Sequence, residues 1–327
     1  MTYSSGGLIQ AVDYNGFVST TAGANVNGIW ATGATDKGYG QTALATVAAA
    51  GSITAAQWAS LVNTISSMAS HQGTTITART APVAGNTISI LAALNTDLTT
   101  LTTNRGNAVG TGSLFTGWTG TSSKTSATGS GSTAWTITFT HTITWASAAA
   151  ARYFFNAGGR IKWETSKTAD STAADTEWND LANTLVGDIW ITGGTATQTI
   201  VGQTYTGTTK VGGTGTPNIL LTTTGWYDLL TTDTIIYKQF ADTSPYTGQF
   251  IQISAKTAGS GTQLVLTTVW TDPGGSGAGS SDDISGGTAT TGATFGTAPA
   301  TVVTYRPPST TYLTDTWGAP TVVASVA

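Results

Sequence analysis

Between Trp135 and Trp145 the chain alternates without a break. Trp135, Ile137, Phe139, His141, Ile143 and Trp145 are interleaved with Thr136, Thr138, Thr140, Thr142 and Thr144. Successive side chains of a strand point to opposite faces, so the run predicts a long strand with an apolar, aromatic face and a threonine face. Threonine is β-branched and suits a pleated surface, while its hydroxyl tolerates water. It takes the place that charged residues usually hold. Composition extends the point to the whole chain. Roughly a fifth of the residues are Thr, and only 9% are Asp, Glu, Lys or Arg, against about 25% in an ordinary domain. His141 within this strand reads as a packed sheet residue.

Further strands are expected at Gly159–Trp163, Asp188–Thr192, Ile219–Thr223, Trp226–Leu230, Thr234–Phe240, Phe250–Ala255, Thr262–Thr271 and Thr301–Tyr305, with Gly/Ser turns between them. A short helix is expected after Asp175 or Thr176, with Trp178, Leu181 and Leu185 on one face. Many short strands with Gly-rich turns predict an antiparallel, sandwich-like β domain over residues 133–327. Trp135, Trp145, Trp163, Trp178 and Trp190 fall on inward faces. Trp118 and Trp270 are expected to be exposed or at an interface.

The first part reads differently. Thr54 and Gln57 form a capping-box pair ahead of Trp58, Leu61, Val62, Ile65 and Met68, and Gly73 stops the helix. Leu91, Leu94, Leu98 and Leu101 follow at spacings of a coiled-coil seam, on a helix expected from near Asn86. Its other faces are Thr and Asn, which are mediocre helix formers. The seam therefore needs partners, from this chain or from copies of it. Residues 1–107 are read as a smaller helical, coiled-coil-like anchoring and oligomerisation module. Residues 108–132, rich in Gly, Ser and Thr, are read as a linker.

Several functions are excluded or disfavoured. The chain has no Cys, so it has no thiolate nucleophile or metal site. Twelve Lys and Arg in 327 residues and a net charge of −4 do not make a phosphate-binding stripe, so nucleic acid is not an expected partner. No apolar run is long enough for a membrane helix, and the first residues do not read as a signal peptide. No nucleophile elbow or P-loop occurs. His71 and His141 supply no zinc set. Asp170, Asp175, Glu177 and Asp180, or Asp282 with Asp283, offer carboxylates of the kind calcium takes, but at no recognised spacing. No enzymatic activity, catalytic residue, cofactor or metal is assigned.

The run Ala150-Ala151-Arg152-Tyr153-Phe154-Phe155-Asn156-Ala157-Gly158-Gly159-Arg160-Ile161 resembles a motif in virion structural proteins of tailed bacteriophages, particularly the contractile-tailed phages of marine cyanobacteria. Shorter stretches are similar to the same family: Gly38-Tyr39-Gly40-Gln41, Thr54–Trp58, His71-Gln72-Gly73, Tyr246–Ala255, Tyr305-Arg306-Pro307-Pro308, Leu313 and Trp317-Gly318. The resemblance implies a virion structural protein, assembled in the host cytoplasm with itself and other virion proteins as partners. The leading expectation is a homo-oligomeric, trimeric fibre or appendage of the tail, neck or baseplate. A head or tail decoration protein is the second reading. A carbohydrate-binding protein that recognises a host surface glycan is a third, of another class. Leu91, Leu94, Leu98, Leu101, Tyr153, Phe154 and Phe155 are the candidate oligomer interface.

Overall fold

The computed structural model describes residues 10–19, 24–33, 37–85, 91–112, 122–123, 126–127, 135–168, 173–272, 293–294 and 299–327. In chain order the elements are α1 (Ala11–Val18), α2 (Val26–Trp30), α3 (Ala55–Gln72), α4 (Leu91–Thr103), β1 (Ser122–Ser123), β2 (Ser126–Ala127), β3 (Trp135–Thr144), α5 (Ala148–Asn156), β4 (Arg160–Ser166) and α6 (Ala173–Asp180). A π-turn over Leu181–Leu185 prolongs α6. Then come β5 (Asp188–Ile191), β6 (Gln198–Ile200), β7 (Gln203–Tyr205), β8 (Thr208–Val211), β9 (Ile219–Leu220), β10 (Thr234–Phe240), β11 (Phe250–Ala258), β12 (Gln263–Asp272), β13 (Ala293–Thr294), β14 (Ala300–Arg306) and β15 (Thr321–Val326).

The fold is mainly antiparallel strands with a few helices. The two larger sheets have the orders β15-β3-β12-β11-β10-β9 and β1-β14-β4-β5-β8, and β13-β2 and β6-β7 form two-stranded sheets beside them. Alternation in β3 decides which face is buried. Ile137, Phe139, His141 and Ile143 are fully enclosed. Across from them on β12 stand Trp270, Thr268, Leu266 and Leu264. On the threonine face Thr140 is opposite Thr267 and the Thr136 and Thr271 hydroxyls are 3.3 Å apart, while Thr138 and Thr142 stand opposite Val269 and Val265. The one inward hydroxyl in this part of β12 is satisfied across the core. The Trp163 indole of β4 donates to Thr268 Oγ1 at 2.8 Å, joining the two sheets by a buried hydrogen bond.

The N-terminal helices follow their caps. Thr54 and Gln57 bond reciprocally at the start of α3, and Gly73 takes the left-handed conformation, φ 66°, at its end. In α4, four threonines turn their hydroxyls back onto carbonyls one turn earlier: Thr99 to Asn95, Thr100 to Thr96, Thr102 to Leu98 and Thr103 to Thr99. A Thr-rich helix thereby satisfies its own side chains.

Several expectations change. Leu94, Leu98 and Leu101 are fully buried and belong to the same core as Trp58, Leu61, Ile137 and Phe154. The seam is filled from within the chain and is not open to a copy; the Leu91 side chain lies outside the described residues. The helices share that core with the sheets. The described part of the expected linker is itself paired: Ala108 bridges Ile200, Thr111 bridges Pro308, and β1 joins β14. Trp226–Asp228 is a 3-10 turn rather than a strand. Trp270 is buried, stacked on Trp178 with ring centres 5.4 Å apart. Trp145, Trp163, Trp178 and Trp190 are buried as expected. Trp118 and the Trp135 side chain lie outside the described residues.

Candidate functional site

The long motif forms α5 and the turn into β4. Ser147 caps α5, accepting from the Ala150 amide at 3.0 Å. Adjacent residues on a helix are about 100° apart, so two neighbouring aromatics can both be buried where three cannot. Phe154 and Phe155 are fully enclosed. Trp145 lies 5.4 Å from each, Tyr305 lies 5.9 Å from Phe154, and Trp226 stacks on Phe155 at 5.3 Å. These two phenylalanines are intrachain core, not an interface. Tyr153 is half-buried, with the Arg152 guanidinium 5.1 Å from its ring centre. Its ring fills the space beside Gly40, where a Cβ would come within 2.4 Å of it. Gly159 is needed for a similar reason, since a Cβ there would lie 2.6 Å from the Phe154 carbonyl.

Two of the short motif stretches, at Gly38–Gln41 and His71-Gln72, meet Asn156 of the long one around Tyr39. Its hydroxyl donates to the Arg105 carbonyl at 2.7 Å and accepts from the Gln72 amide at 2.8 Å. Its ring meets His71 edge-on at 5.2 Å. Asn156 donates to the Gly38 carbonyl at 2.8 Å and accepts from the Tyr227 hydroxyl at 2.6 Å. Gln41 and Thr314 bond both ways, at 2.9 and 2.8 Å, and the Thr316 hydroxyl donates to the Tyr39 carbonyl at 3.1 Å. Residues from 38 to 316 thus close one hub of hydrogen bonds.

Burial drives the Tyr39 phenol far above its ordinary range, although Gln72 and the Arg105 charge pull the other way. Burial lowers the His71 imidazole to about 4, opposed by its hydrogen bond with the Ala157 backbone. His71 Nε2 has no hydrogen-bond partner. Both groups are therefore neutral at pH 7 and serve as packing and hydrogen-bonding parts. A pH dependence follows. Between pH 6.5 and about 4 the unfolded chain binds a proton that the folded chain refuses. Stability should be flat above that window and fall by about 3 kcal/mol across it. Urea midpoints of wild type and His71→Gln between pH 7.5 and 4.5 test this. The wild type's advantage over the variant should shrink, and can reverse, as pH falls; a constant difference would show that His71 does not carry the effect.

A cavity of about 330 Å³ adjoins the hub, bounded among others by Tyr39, Arg105, Asn156, Gln198, Tyr227 and Asp228. These residues offer donors and acceptors but no nucleophile beside a base. Of the carboxylates considered for calcium, Asp175 is buried against Lys167 at 2.5 Å. Glu177 and Asp180 instead approach Asp242, with one oxygen of each within 4.8 Å of the others. Glu177 is buried, Asp180 half-buried and Asp242 exposed, and the trio is assigned no metal. Asp170, Asp282 and Asp283 lie outside the described residues. No helix among the described residues is long and apolar enough to cross a membrane. No protein-family model, curated protein or solved structure matches the chain.

Proposed function

We propose that the chain is a structural component of a tailed-phage particle, a homo-oligomeric fibre or appendage of the tail, neck or baseplate, whose two antiparallel sheets face each other as a sandwich. The observation that carries the reading is the convergence at Tyr39. Residues from three of the stretches that carry the resemblance, Gly38–Gln41, His71-Gln72 and Asn156, sit at one hub and act there as packing rings and hydrogen-bonding groups. That is what a signature of architecture looks like, since a catalytic signature would place titratable groups at an open cleft. The buried Trp163–Thr268 bond supports the sandwich. With the leucine seam occupied inside the chain, copies would meet through other surfaces, and the argument for three copies no longer rests on that seam.

The test is sedimentation of the purified full chain with electron microscopy of its assemblies, followed by antibody labelling of phage particles. Oligomers, and labelling at the tail, neck or baseplate, are expected. A monomer that stays monomeric up to high micromolar concentration and labels no particle would overturn the reading. Labelling confined to the head would favour a decoration protein.

A further inference from the structure

On the outer face of the β4–β14 pair, two arginines stand directly opposite each other: Arg160 and Arg306 are partners in the register. Like charges so placed repel. Arg160 is only 3% exposed. Its guanidinium lies over the Trp190 ring at 5.2 Å and the Tyr205 ring at 4.8 Å. The β6–β7 hairpin brings Tyr205 onto this face, where it packs with Trp190, Ala108 and Ile200 as a second small core. Arg160 Nε has no hydrogen-bond partner. Neither arginine forms an ion pair among the described residues. The nearby acids are already taken, because Lys162 holds Glu164 at 2.5 Å and Asp188 at 3.1 Å.

A buried cation without a counter-ion is costly, and contact with aromatic faces offsets only part of that cost. Burial also holds the Arg160 guanidinium below its usual range, with Tyr205 opposing and Arg306 adding to the shift. Two planar forks on adjacent strands, with aromatic walls excluding water from one of them, suit a group that presents two oxygen atoms along one edge.

We propose that Arg160 and Arg306 form a binding site for a single oxyanion group, supplied by a free inorganic oxyanion or by an acidic side chain of a second copy. The two sources share the same chemistry and differ in what binding does to the chain's mass.

The probe is sulfate at 10 mM against chloride at equal ionic strength, read as the thermal midpoint of the full chain. For wild type, sulfate should raise the midpoint by at least about 2 °C. Arg306→Met should lose that rise and, having shed the like-charge neighbour, melt in chloride no lower than wild type. Arg306→Lys keeps the charge but not the fork, and should lose most of the response. Equal rises in wild type and Arg306→Met, or no rise in either together with a mass that sulfate leaves unchanged, would overturn the site. Sedimentation of wild type separates the sources. Copies that associate in chloride and part in sulfate identify a carboxylate from a second copy; an unchanged mass identifies a free oxyanion.

Discussion

Leu98→Asp should leave the chain unfolded at 25 °C. Leu98 is fully buried in the core shared by helices and sheets. The substitution removes a leucine's packing and leaves a carboxylate with no cation built to receive it. Lost packing and charge burial together cost on the order of 5 kcal/mol or more. A domain is stable by only about 5–15 kcal/mol in all. Had the seam been a contact between copies, the same change would give a folded chain of lower mass. Circular dichroism and sedimentation of the variant separate the two outcomes. A folded monomer with native spectra would restore the leucine seam as an interface.

Lys167→Met should cost about 4 kcal/mol and the double variant Lys167→Met with Asp175→Leu much less. Both side chains of the pair are fully enclosed. The ammonium also donates to the Thr168 carbonyl at 2.7 Å, and the Lys167 carbonyl accepts from Asn179 and Asn183, each at 2.5 Å. Removing one partner strands the other charge in a low-dielectric interior, while replacing both with apolar groups removes the problem. Chemical denaturation of the single and double variants measures the difference. If the double variant is as unstable as the single one, the pair is not what holds the start of α6 against the end of β4.

The parts that could be read in advance were those with a strong local rule. Strand β3 was legible because its threonines alternate with large apolar residues. Helix α3 was legible because Thr54, Gln57 and Gly73 mark its ends. Strand β10 was placed from Thr234 to Phe240, as observed. Strand β15 was missed, since T-V-V-A-S-V does not alternate and its residues are exposed or half-buried at the edge of the sheet. Helix α5 is absent from the expected elements, because the small Ala148–Arg152 run tolerates a helix without marking one and three bulky aromatics follow it. Trp226 was misread because its conformation is set by stacking on Phe155, a residue 71 positions away in the same neighbourhood as the Tyr227–Asn156 bond. Part of the hub (Gly38, Tyr39, Gln41, His71, Gln72 and Asn156) lies in stretches that stood out in the sequence, but Arg105, Tyr227, Thr314 and Thr316 do not, and nothing local brings Gln41 to Thr314. The pairing of Arg160 with Arg306 had no signal at all, because strand register decides it.

The clasp between Gln41 and Thr314 has a mechanical meaning. Its partners are 273 residues apart along the chain, and Thr316 reaches Tyr39 across 277. A pull applied between the early helices and the last strand would load these few hydrogen bonds in parallel with the core that the helices share with the sheets. The clasp is a short circuit in the load path, a direct tie between parts of the chain that the sequence holds far apart.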